Sequence, residues 1–172
     1  MIRLAKIDDL GRIMQIISDA KKFLKLSGST QWNGPKGYPD KYTLEKDIAN
    51  ENCFLYEEDG KVYGLGVFGG MEIEYENKGV NWLNNTTNYM TIHRIATADD
   101  ARGKGVAKKL MFFAEELALK RGNLSIRIDT HPKNSIIQNM CKNLGYTEIG
   151  SILYDSIPVE PTRIIFEKII KK

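Results

Sequence analysis

Residues 99–122 read DDARGKGVAKKLMFFAEELALKRG and combine a basic, glycine-containing turn with an amphipathic helix. From Gly105 onward the apolar residues recur at helical spacing, and Gly122 is well suited to end the helix. Four cations crowd the front of this helix: Arg102, Lys104, Lys108 and Lys109. Because the helix dipole is already positive there, a bound anion would stabilise the turn, and N–H groups beside glycine commonly bind phosphate. The competing interpretation is a basic helix end that is merely solvated.

Predicted strands and helices surround this segment on both sides. Strands are predicted over 89–97, YMTIHRIAT, and 124–130, LSIRIDT, from their alternating side chains. Before this segment the sequence predicts a strand at the N-terminus, a helix over 9–26 capped by Asp8, and a loop over 27–40. A helix over 43–51 capped by Thr43 and a hairpin with its turn at Asp59-Gly60 follow. After the segment it predicts a helix over 135–144 and two final strands around Pro158 and Pro161. Residues 71–85 fit either a strand extension or an irregular connection. The order predicts one mixed α/β domain over 1–172.

Bulk properties narrow the class of protein. A chain of 172 residues suits one domain, and a net charge of +3 is too small to imply nucleic-acid binding. The sequence has neither a signal-peptide pattern nor about 18 consecutive apolar residues, so we expect no membrane partner and a cytoplasmic location. Cys53 and Cys141 are then expected to be reduced. No metal is expected, since neither histidine has a companion ligand at a recognisable spacing.

The basic turn does not match the two common nucleotide motifs. It lacks a Walker sequence, and Lys108 stands where a dinucleotide fingerprint needs its third glycine. The stretch RGKGVA instead fits the pattern R/Q-x-x-G-x-G/A, with Arg102, Gly105 and Ala107 at its key positions. With RIAT before it and NSIIQNMCKNLGYTEIG after the next strand, the chain resembles the GCN5-related N-acetyltransferases, firmly over residues 89–150. The stretches WNGPKGYP and HRIAT…RIDTH resemble a bacterial branch of small acetyltransferases within that family.

The resemblance implies a fold and a co-substrate. The fold is a mostly antiparallel central sheet flanked by helices, with a V-shaped splay between strands 89–97 and 124–130. Acetyl-CoA would lie in that splay, its pantetheine arm bonded to the backbone of Ile95, Ala96 and Thr97 and to Asn134, which is also a suitable helix N-cap. The pyrophosphate would be held by the turn residues Arg102, Gly103, Lys104, Gly105, Val106, Ala107 and Lys108.

The chemistry that the resemblance implies is direct attack of a neutral amine on the thioester. His93 is the candidate base because imidazole titrates near neutral pH; the alternative is a core histidine with a structural partner. Cys141 occupies the position of the family's usual tyrosine acid, and the alternative is a small buried helix residue. The sequence therefore departs from the family at the group that would protonate the leaving thiolate.

The acceptor side is less well marked. Trp32 and Tyr38 are expected to line the acceptor site. The alternative is that these two aromatic side chains only anchor their own loop by packing. Asp129 is expected to contact the acceptor or the cofactor, or to pair with Arg127 as an ordinary cross-strand ion pair. His131 is expected to be solvated.

The leading interpretation is an acetyl-CoA-dependent N-acetyltransferase acting on a primary amine of a small molecule or a peptide terminus. The alternatives are a non-catalytic acyl-CoA-binding module of the same fold and a nucleotide-binding domain. Edge strands near the C-terminus are one surface through which two copies would form a homodimer.

Overall fold

The computed structural model of the chain describes residues 1–34, 37–157 and 159–170, a mixed α/β fold. Its strands are β1 (Ile2–Leu4), β2 (Cys53–Glu58), β3 (Lys61–Gly69), β4 (Tyr89–Thr97), β5 (Ser125–Thr130), β6 (Thr147–Leu153) and β7 (Thr162–Ile169). Its α-helices are α1 (Leu10–Leu26), α2 (Lys41–Ala49), α3 (Ile73–Asn77), α4 (Val106–Arg121) and α5 (Ser135–Asn143). The strands form one mostly antiparallel sheet in the order β1-β2-β3-β4-β5-β7-β6. The predicted fold class is confirmed.

The chain divides into two compact units. The first comprises Met1–Phe68 and His93–Phe113, and the second comprises Gly69–Ile92 and Ala114–Lys172. Strand β6 is the last strand in the sheet order and is therefore an edge strand. An edge strand near the C-terminus is what the predicted homodimer would use to pair two copies. Both the homodimer and the single domain over 1–172 stay predictions.

The first unit is built on the hairpin of β2 and β3, which pair antiparallel with Leu55 opposite Leu65. Its turn is the predicted Asp59-Gly60 pair, and both residues have positive φ, 51° and 73°, as a type I′ turn requires. Below the hairpin, α1 buries one apolar face: Ile13, Ile16, Ile17, Ala20 and Leu24. Phe54 stacks on Phe68 and tilts against Phe113, with ring centroids 5.4 and 5.1 Å away. These contacts form the core of the unit.

The caps of the first two helices differ from the prediction. A short 3₁₀ turn, Ile7–Asp9, precedes α1, so the helix begins at Leu10 without a side-chain cap. Helix α2 is capped by Asp40 and not by Thr43. The backbone of Asp40 is extended, and its Oδ1 accepts hydrogen bonds from Thr43 N at 2.8 Å and Thr43 Oγ1 at 2.6 Å. The cap therefore belongs to the residue three positions earlier. Pro35 and Lys36 of the predicted loop, and Pro158 between the final strands, lie outside the described residues.

The second unit contains the strands from the start of β4 to the last strand. Tyr89–Ile92 of β4 pair in parallel with Ser125–Ile128 of β5, so the ladder ends at Ile92, where the predicted splay would begin. Strand β7 pairs antiparallel with both β5 and β6. The segment 71–85, left open by the sequence, contains the short helix α3, whose Tyr75 is buried with Tyr89, Ile152 and Ile165. Over the described parts of the chain, no helix has the length and apolar character needed to cross a bilayer.

Candidate functional site

The basic turn before α4 is open and shaped to receive an anion. Gly103 and Gly105 have φ of 74° and 76°, a left-handed backbone that glycine adopts readily, and open space lies where a Cβ would stand. The first i to i−4 bond of the helix runs from Lys109 N to Gly105 O at 3.0 Å. The N–H groups before Lys109 therefore lack an intrahelical carbonyl partner, and they are the groups that bind phosphate at a helix N-terminus.

The cations of this turn divide into two kinds. Arg102 lies against α1, where its Nη2 donates to Asp19 O at 3.0 Å and its guanidinium stacks 4.1 Å from the Phe23 ring centre. The same guanidinium binds Asp99 Oδ1 through Nε and Nη2. The side chain of Arg102 thus anchors the turn, and the ammonium groups of Lys104 and Lys108, both exposed, remain at the surface beside the glycines. The predicted roles of the turn residues are compatible with this geometry and stay predictions.

Strand β3 lets the end of β4 and the start of α4 approach it closely. A Cβ on Gly64 would meet Val106 Cγ1 at 2.6 Å and the carbonyl oxygen of Ala96 at 2.9 Å. Both distances are shorter than a normal van der Waals contact, so only glycine fits at this position without a shift of its neighbours. The position of Gly64 thereby fixes two segments with predicted cofactor residues, Ile95–Thr97 and the first turn of α4.

Strand β4 is buried on both faces over its first four residues, Tyr89–Ile92, and its backbone becomes irregular at Arg94. Arg94 then has φ of 51°, which is uncommon for a residue other than glycine. His93, the candidate base, precedes this irregular residue and is half-buried.

A polar cluster that the sequence did not reveal joins β4 to the loop between α1 and α2 in the first unit, which carries Trp32 and Tyr38. Arg94 binds the Asp47 carboxylate with two hydrogen bonds, from Nε at 2.7 Å and from Nη2 at 2.6 Å. Its third nitrogen, Nη1, donates to the hydroxyl oxygen of Tyr38 at 2.5 Å. Tyr38 is 44% exposed, and Trp32 on the same loop is half-buried with φ of 65°. Tyr38, one of the two predicted acceptor-wall residues, therefore belongs to a charged network.

The second unit holds the third predicted acceptor residue, Asp129. Its Oδ1 accepts hydrogen bonds from the hydroxyls of Tyr75 at 2.7 Å and Tyr154 at 2.8 Å, and Arg163 Nε lies 3.9 Å from its Oδ2. Burial, and then the nearby Asp129 charge, raise the pKa of both tyrosines, so their hydroxyls are protonated donors. Two tyrosine hydroxyls thus orient the Asp129 carboxylate by donating to one of its oxygens.

Arg127 does not pair with Asp129, contrary to the ion-pair interpretation. It is fully buried, and its Nε donates to Glu167 Oε1 at 3.1 Å. Its guanidinium lies between two rings, 4.1 Å from the centre of Trp82 and 3.8 Å from that of Tyr89. The interpretation failed because Arg127 turns to a carboxylate on β7, 40 residues away in sequence.

The remaining predicted residues of the second unit lie on or near α5. The thiol of Cys141 is fully buried, and burial raises its pKa to about 12. Asn134 Oδ1 accepts from Ile137 N at 3.4 Å, so Asn134 is the N-cap of α5, and its bond to pantetheine stays a prediction. The expected solvation of His131 is wrong: the residue is buried, and its Nε2 lies 3.2 Å from Glu160 Oε2.

Comparisons with known proteins agree on one family. The model of the acetyltransferase (GNAT) family matches residues 21–146. A streptothricin acetyltransferase from Escherichia coli is 35% identical over 99 residues, which are 57% of this chain and 53% of that protein. The chain thus spans about half the length of that relative.

Solved structures extend the likeness to the whole chain. A GNAT-family acetyltransferase from Streptococcus agalactiae superimposes with a TM-score of 0.85 at 31% identity, covering 100% of this chain and 96% of its own. A GNAT-family acetyltransferase from Listeria monocytogenes has a TM-score of 0.75 at 22% identity, with 98% and 94% covered, a likeness of fold alone.

Proposed function

Since the chain belongs to the GNAT family of acetyltransferases, we propose that it transfers an acetyl group directly from acetyl-CoA to a primary amine. The acceptor would be a small molecule or a peptide terminus. The observation that carries the proposal is the open turn before α4, where positive-φ glycines, unpaired helix N–H groups and two exposed lysines meet.

The turn residues fit the pyrophosphate of acetyl-CoA. Two phosphates carry the negative charge that both the helix N-terminus and the cations Lys104 and Lys108 attract. The backbone N–H groups of Gly103 and of Gly105 to Lys108 would bind the phosphate oxygens, whereas that of Lys104 donates to the Ala101 carbonyl. The backbone of Ile95–Thr97 and the side chain of Asn134 would hold the pantetheine arm. Acetyl-CoA would supply an activated thioester, and a backbone N–H of β4 would donate to the oxyanion formed during transfer.

His93 would accept a proton from the reacting nitrogen. It lies on β4 two residues before Ile95, and it is half-buried, so it is accessible from one side. Cys141 is a poor proton donor by comparison, because a fully buried thiol is shielded from a leaving group. We therefore place proton delivery to the coenzyme A sulfur on water or on another side chain.

The acceptor would be an amine that carries positive charge before reaction. Asp129 supports this proposal, since its carboxylate is oriented by two tyrosine hydroxyls. Trp32 and Tyr38 offer aromatic faces, which attract ammonium groups. The similarity to streptothricin acetyltransferase makes streptothricin the first acceptor to examine.

The experiment is a thiol-release assay with acetyl-CoA and a panel of acceptors. The panel contains streptothricin, polyamines, amino acids and a peptide with a free amino terminus, and mass spectrometry follows each acceptor for one added acetyl group. Amine-dependent thiol release with a matching acetylated product is the expected result. The absence of both across the panel, with acetyl-CoA still bound, would contradict the proposal.

A second candidate function is a non-catalytic acyl-CoA-binding module. Cys141 favours it, because a buried thiol replaces the tyrosine that the family commonly uses as acid. This candidate predicts heat on titration with acetyl-CoA and no thiol release with any amine. The nucleotide-binding alternative predicts instead that ATP or NAD raises the melting temperature more than coenzyme A does.

A further inference from the structure

We propose that Tyr38, held by Arg94, is a catalytic residue that takes the first proton from the acceptor ammonium. The inference rests on the proposed acetyl transfer, and it assigns Tyr38 a role beyond walling the acceptor site. Arg94 is the positioning residue that favours the phenolate, and Asp47 in turn fixes Arg94.

The hydrogen bonds around Arg94 favour an ionised Tyr38. Arg94 Nη1 donates to the Tyr38 hydroxyl oxygen at 2.5 Å, and a charge-assisted donor of this kind stabilises a phenolate more than a phenol. Burial opposes the charge of Arg94, but attraction to Tyr38 and hydrogen bonding to Asp47 outweigh that effect and raise its pKa. Because the attraction is mutual, the same contact favours the charged form of Tyr38.

Two helices of the first unit supply charged groups that hold Arg94 and the backbone beside Tyr38. Asp47 of α2 has both oxygens bonded to Arg94, and its side chain is 11% exposed. Lys21 of α1 donates from Nζ to the carbonyls of Gly37 at 2.6 Å and Pro39 at 2.9 Å, on either side of Tyr38. Lys21 thereby braces the backbone on both sides of Tyr38.

Two titratable groups near Arg94 and Lys21, Cys53 and Asp40, are neutral or occupied. Asp40 Oδ1 caps α2, and burial raises the pKa of the Cys53 thiol of β2 to about 12, so that thiol is uncharged. His93 of β4 adjoins Arg94 in the chain. Arg94, in contrast, is a cation that donates directly to the phenol oxygen.

The backbone of Arg94 also points to a functional role. Its φ of 51° lies in the left-handed region, which costs a residue other than glycine about 1 kcal/mol or more. The three hydrogen bonds to Asp47 and Tyr38 offset that cost. Strained residues of this kind cluster at active sites. Arg94 stands between His93, the proposed base, and Ile95, whose backbone is proposed to bind the pantetheine arm. The strained residue therefore connects the loop of Tyr38 to the part of β4 that carries the proposed base.

The acceptor nitrogen loses two protons in the reaction, one to solvent and one to the coenzyme A sulfur. The ammonium has three protons and the product amide has one. The Tyr38 phenolate takes the first proton, and the freed nitrogen lone pair forms a C–N bond to the thioester carbon. His93 takes the second proton from that nitrogen and delivers it to the coenzyme A sulfur as the C–S bond breaks. Tyr38 then returns its proton to solvent, to which its 44% exposure gives it access.

The first test measures ionisation and does not depend on activity. Ultraviolet difference titration against Tyr38→Phe reports the phenolate of Tyr38, and Tyr42→Phe supplies the matched control, since Tyr42 is 74% exposed on α2. We expect Tyr38 to ionise about one pH unit or more below Tyr42. Arg94→Lys, which keeps a charge for Asp47 but loses the forked geometry, should shift the Tyr38 midpoint upward.

The second test measures catalysis with the best acceptor amine of the panel. Tyr38→Phe should lower kcat about tenfold or more, remove the dependence of kcat on the ionisation seen in the titration, and change the acceptor KM by less than about twofold. Tyr42→Phe should behave like the wild-type protein. A Tyr38 that only walls the site would instead raise KM and leave the pH profile of kcat unchanged.

The outcomes separate the inference from the proposed function. Thiol release that Tyr38→Phe leaves unchanged overturns the inference and preserves the function. A Tyr38 midpoint equal to that of Tyr42 also overturns it, whatever the activity. A lowered midpoint without thiol release for any amine contradicts the proposed function and, with it, the catalytic role.

Discussion

The imidazole of His93 is half-buried on β4, next to the strained Arg94. His93→Ala removes the ring and keeps the backbone that is proposed to hold pantetheine. We expect turnover to fall about tenfold or more, because general base catalysis typically contributes at least that factor. The Kd for acetyl-CoA should stay nearly unchanged. Steady-state thiol release and calorimetry measure the two quantities, and full turnover in the variant would remove His93 from the mechanism.

Replacing Cys141, in contrast to His93, should leave most of the chemistry intact. Its thiol is fully buried, and burial raises its pKa to about 12, so neither thiolate nor exposed thiol is present at neutral pH. Cys141→Ala should therefore keep roughly a third or more of the wild-type turnover, since a role in packing alone leaves the chemistry intact. Thiol release, compared at equal folded fraction by circular dichroism, is the measurement. Near-complete loss of turnover would assign the thiol a direct part in proton delivery.

Individual residues were predictable from sequence where their surroundings are local. Gly103 and Gly105 lie directly before their own helix, and the predicted glycine turn at the helix start is present there. The partners of Arg94 and Asp129 were not predictable, because Asp47 and Tyr75 lie 47 and 54 residues away in sequence. Burial of His131 was missed for the same reason, since its neighbour Glu160 comes from the connection before β7.

At the scale of elements, the start of α4 should bind the phosphates of acetyl-CoA through charge. Replacing Lys104 and Lys108 together by alanine removes two exposed cations and leaves the glycines and the helix N–H groups in place. We expect the Kd for acetyl-CoA to rise about tenfold, equivalent to about 1.4 kcal/mol, and the effect to shrink as salt screens the charges. Calorimetry at two salt concentrations measures both.

An acetyl donor without phosphate groups is the control for the charge effect of Lys104 and Lys108. Acetyl-pantetheine lacks the pyrophosphate, so its turnover in a thiol-release assay should be the same in the double variant and in the wild-type protein. Equal losses with both donors would mean that the substitutions distort the site and that the lysines do not act through charge.

The contact of β3 with α4 gives a prediction about packing. Gly64→Ala would force a Cβ to 2.6 Å from Val106 and 2.9 Å from the Ala96 carbonyl. We expect it to lower the free energy of unfolding by about 1–3 kcal/mol, the usual cost of overpacking a core. Gly11→Ala is the matched control, since open space surrounds that position in α1, and its stability should be unchanged or slightly raised. Denaturant unfolding measures both, and a Gly64 variant as stable as the wild type would contradict the packing argument.

Elements with strong local signals were predicted well. The Asp59-Gly60 hairpin and the long helix after the basic turn follow from turn chemistry and periodicity, and both are present. Helix α3 was not predicted, because its five residues are too few for a periodic pattern and depend on the burial of Tyr75. The irregular backbone of β4 at Arg94 was not predicted, because long-range hydrogen bonds there outweigh the local preference for extended backbone.

For the molecule as a whole, His131 should make stability depend on pH. Its side chain is 3% exposed, and burial, assisted by the Arg163 charge, lowers its pKa below the ordinary 6.5. The folded state therefore favours neutral imidazole, and the unfolded state binds the proton more readily. This contribution to stability is complete above about pH 6.5 and is lost as the pH falls below that value. The Asp9 carboxyl, whose hydrogen bond to Arg3 lowers its pKa from 3.8, loses its contribution only at lower pH.

Denaturant unfolding at pH values above and below about 6.5 tests this prediction. The wild-type protein should be less stable at the lower pH, and His131→Gln should lose most of that difference because Gln does not titrate. His93→Gln removes the only other histidine, so the pH-dependent loss should persist in that variant and serves as the matched control. If His131→Gln kept the full pH dependence while His93→Gln abolished it, the buried imidazole would not be its source. If both variants lost as much stability at the lower pH as the wild-type protein, the groups that take up the proton would not be histidines.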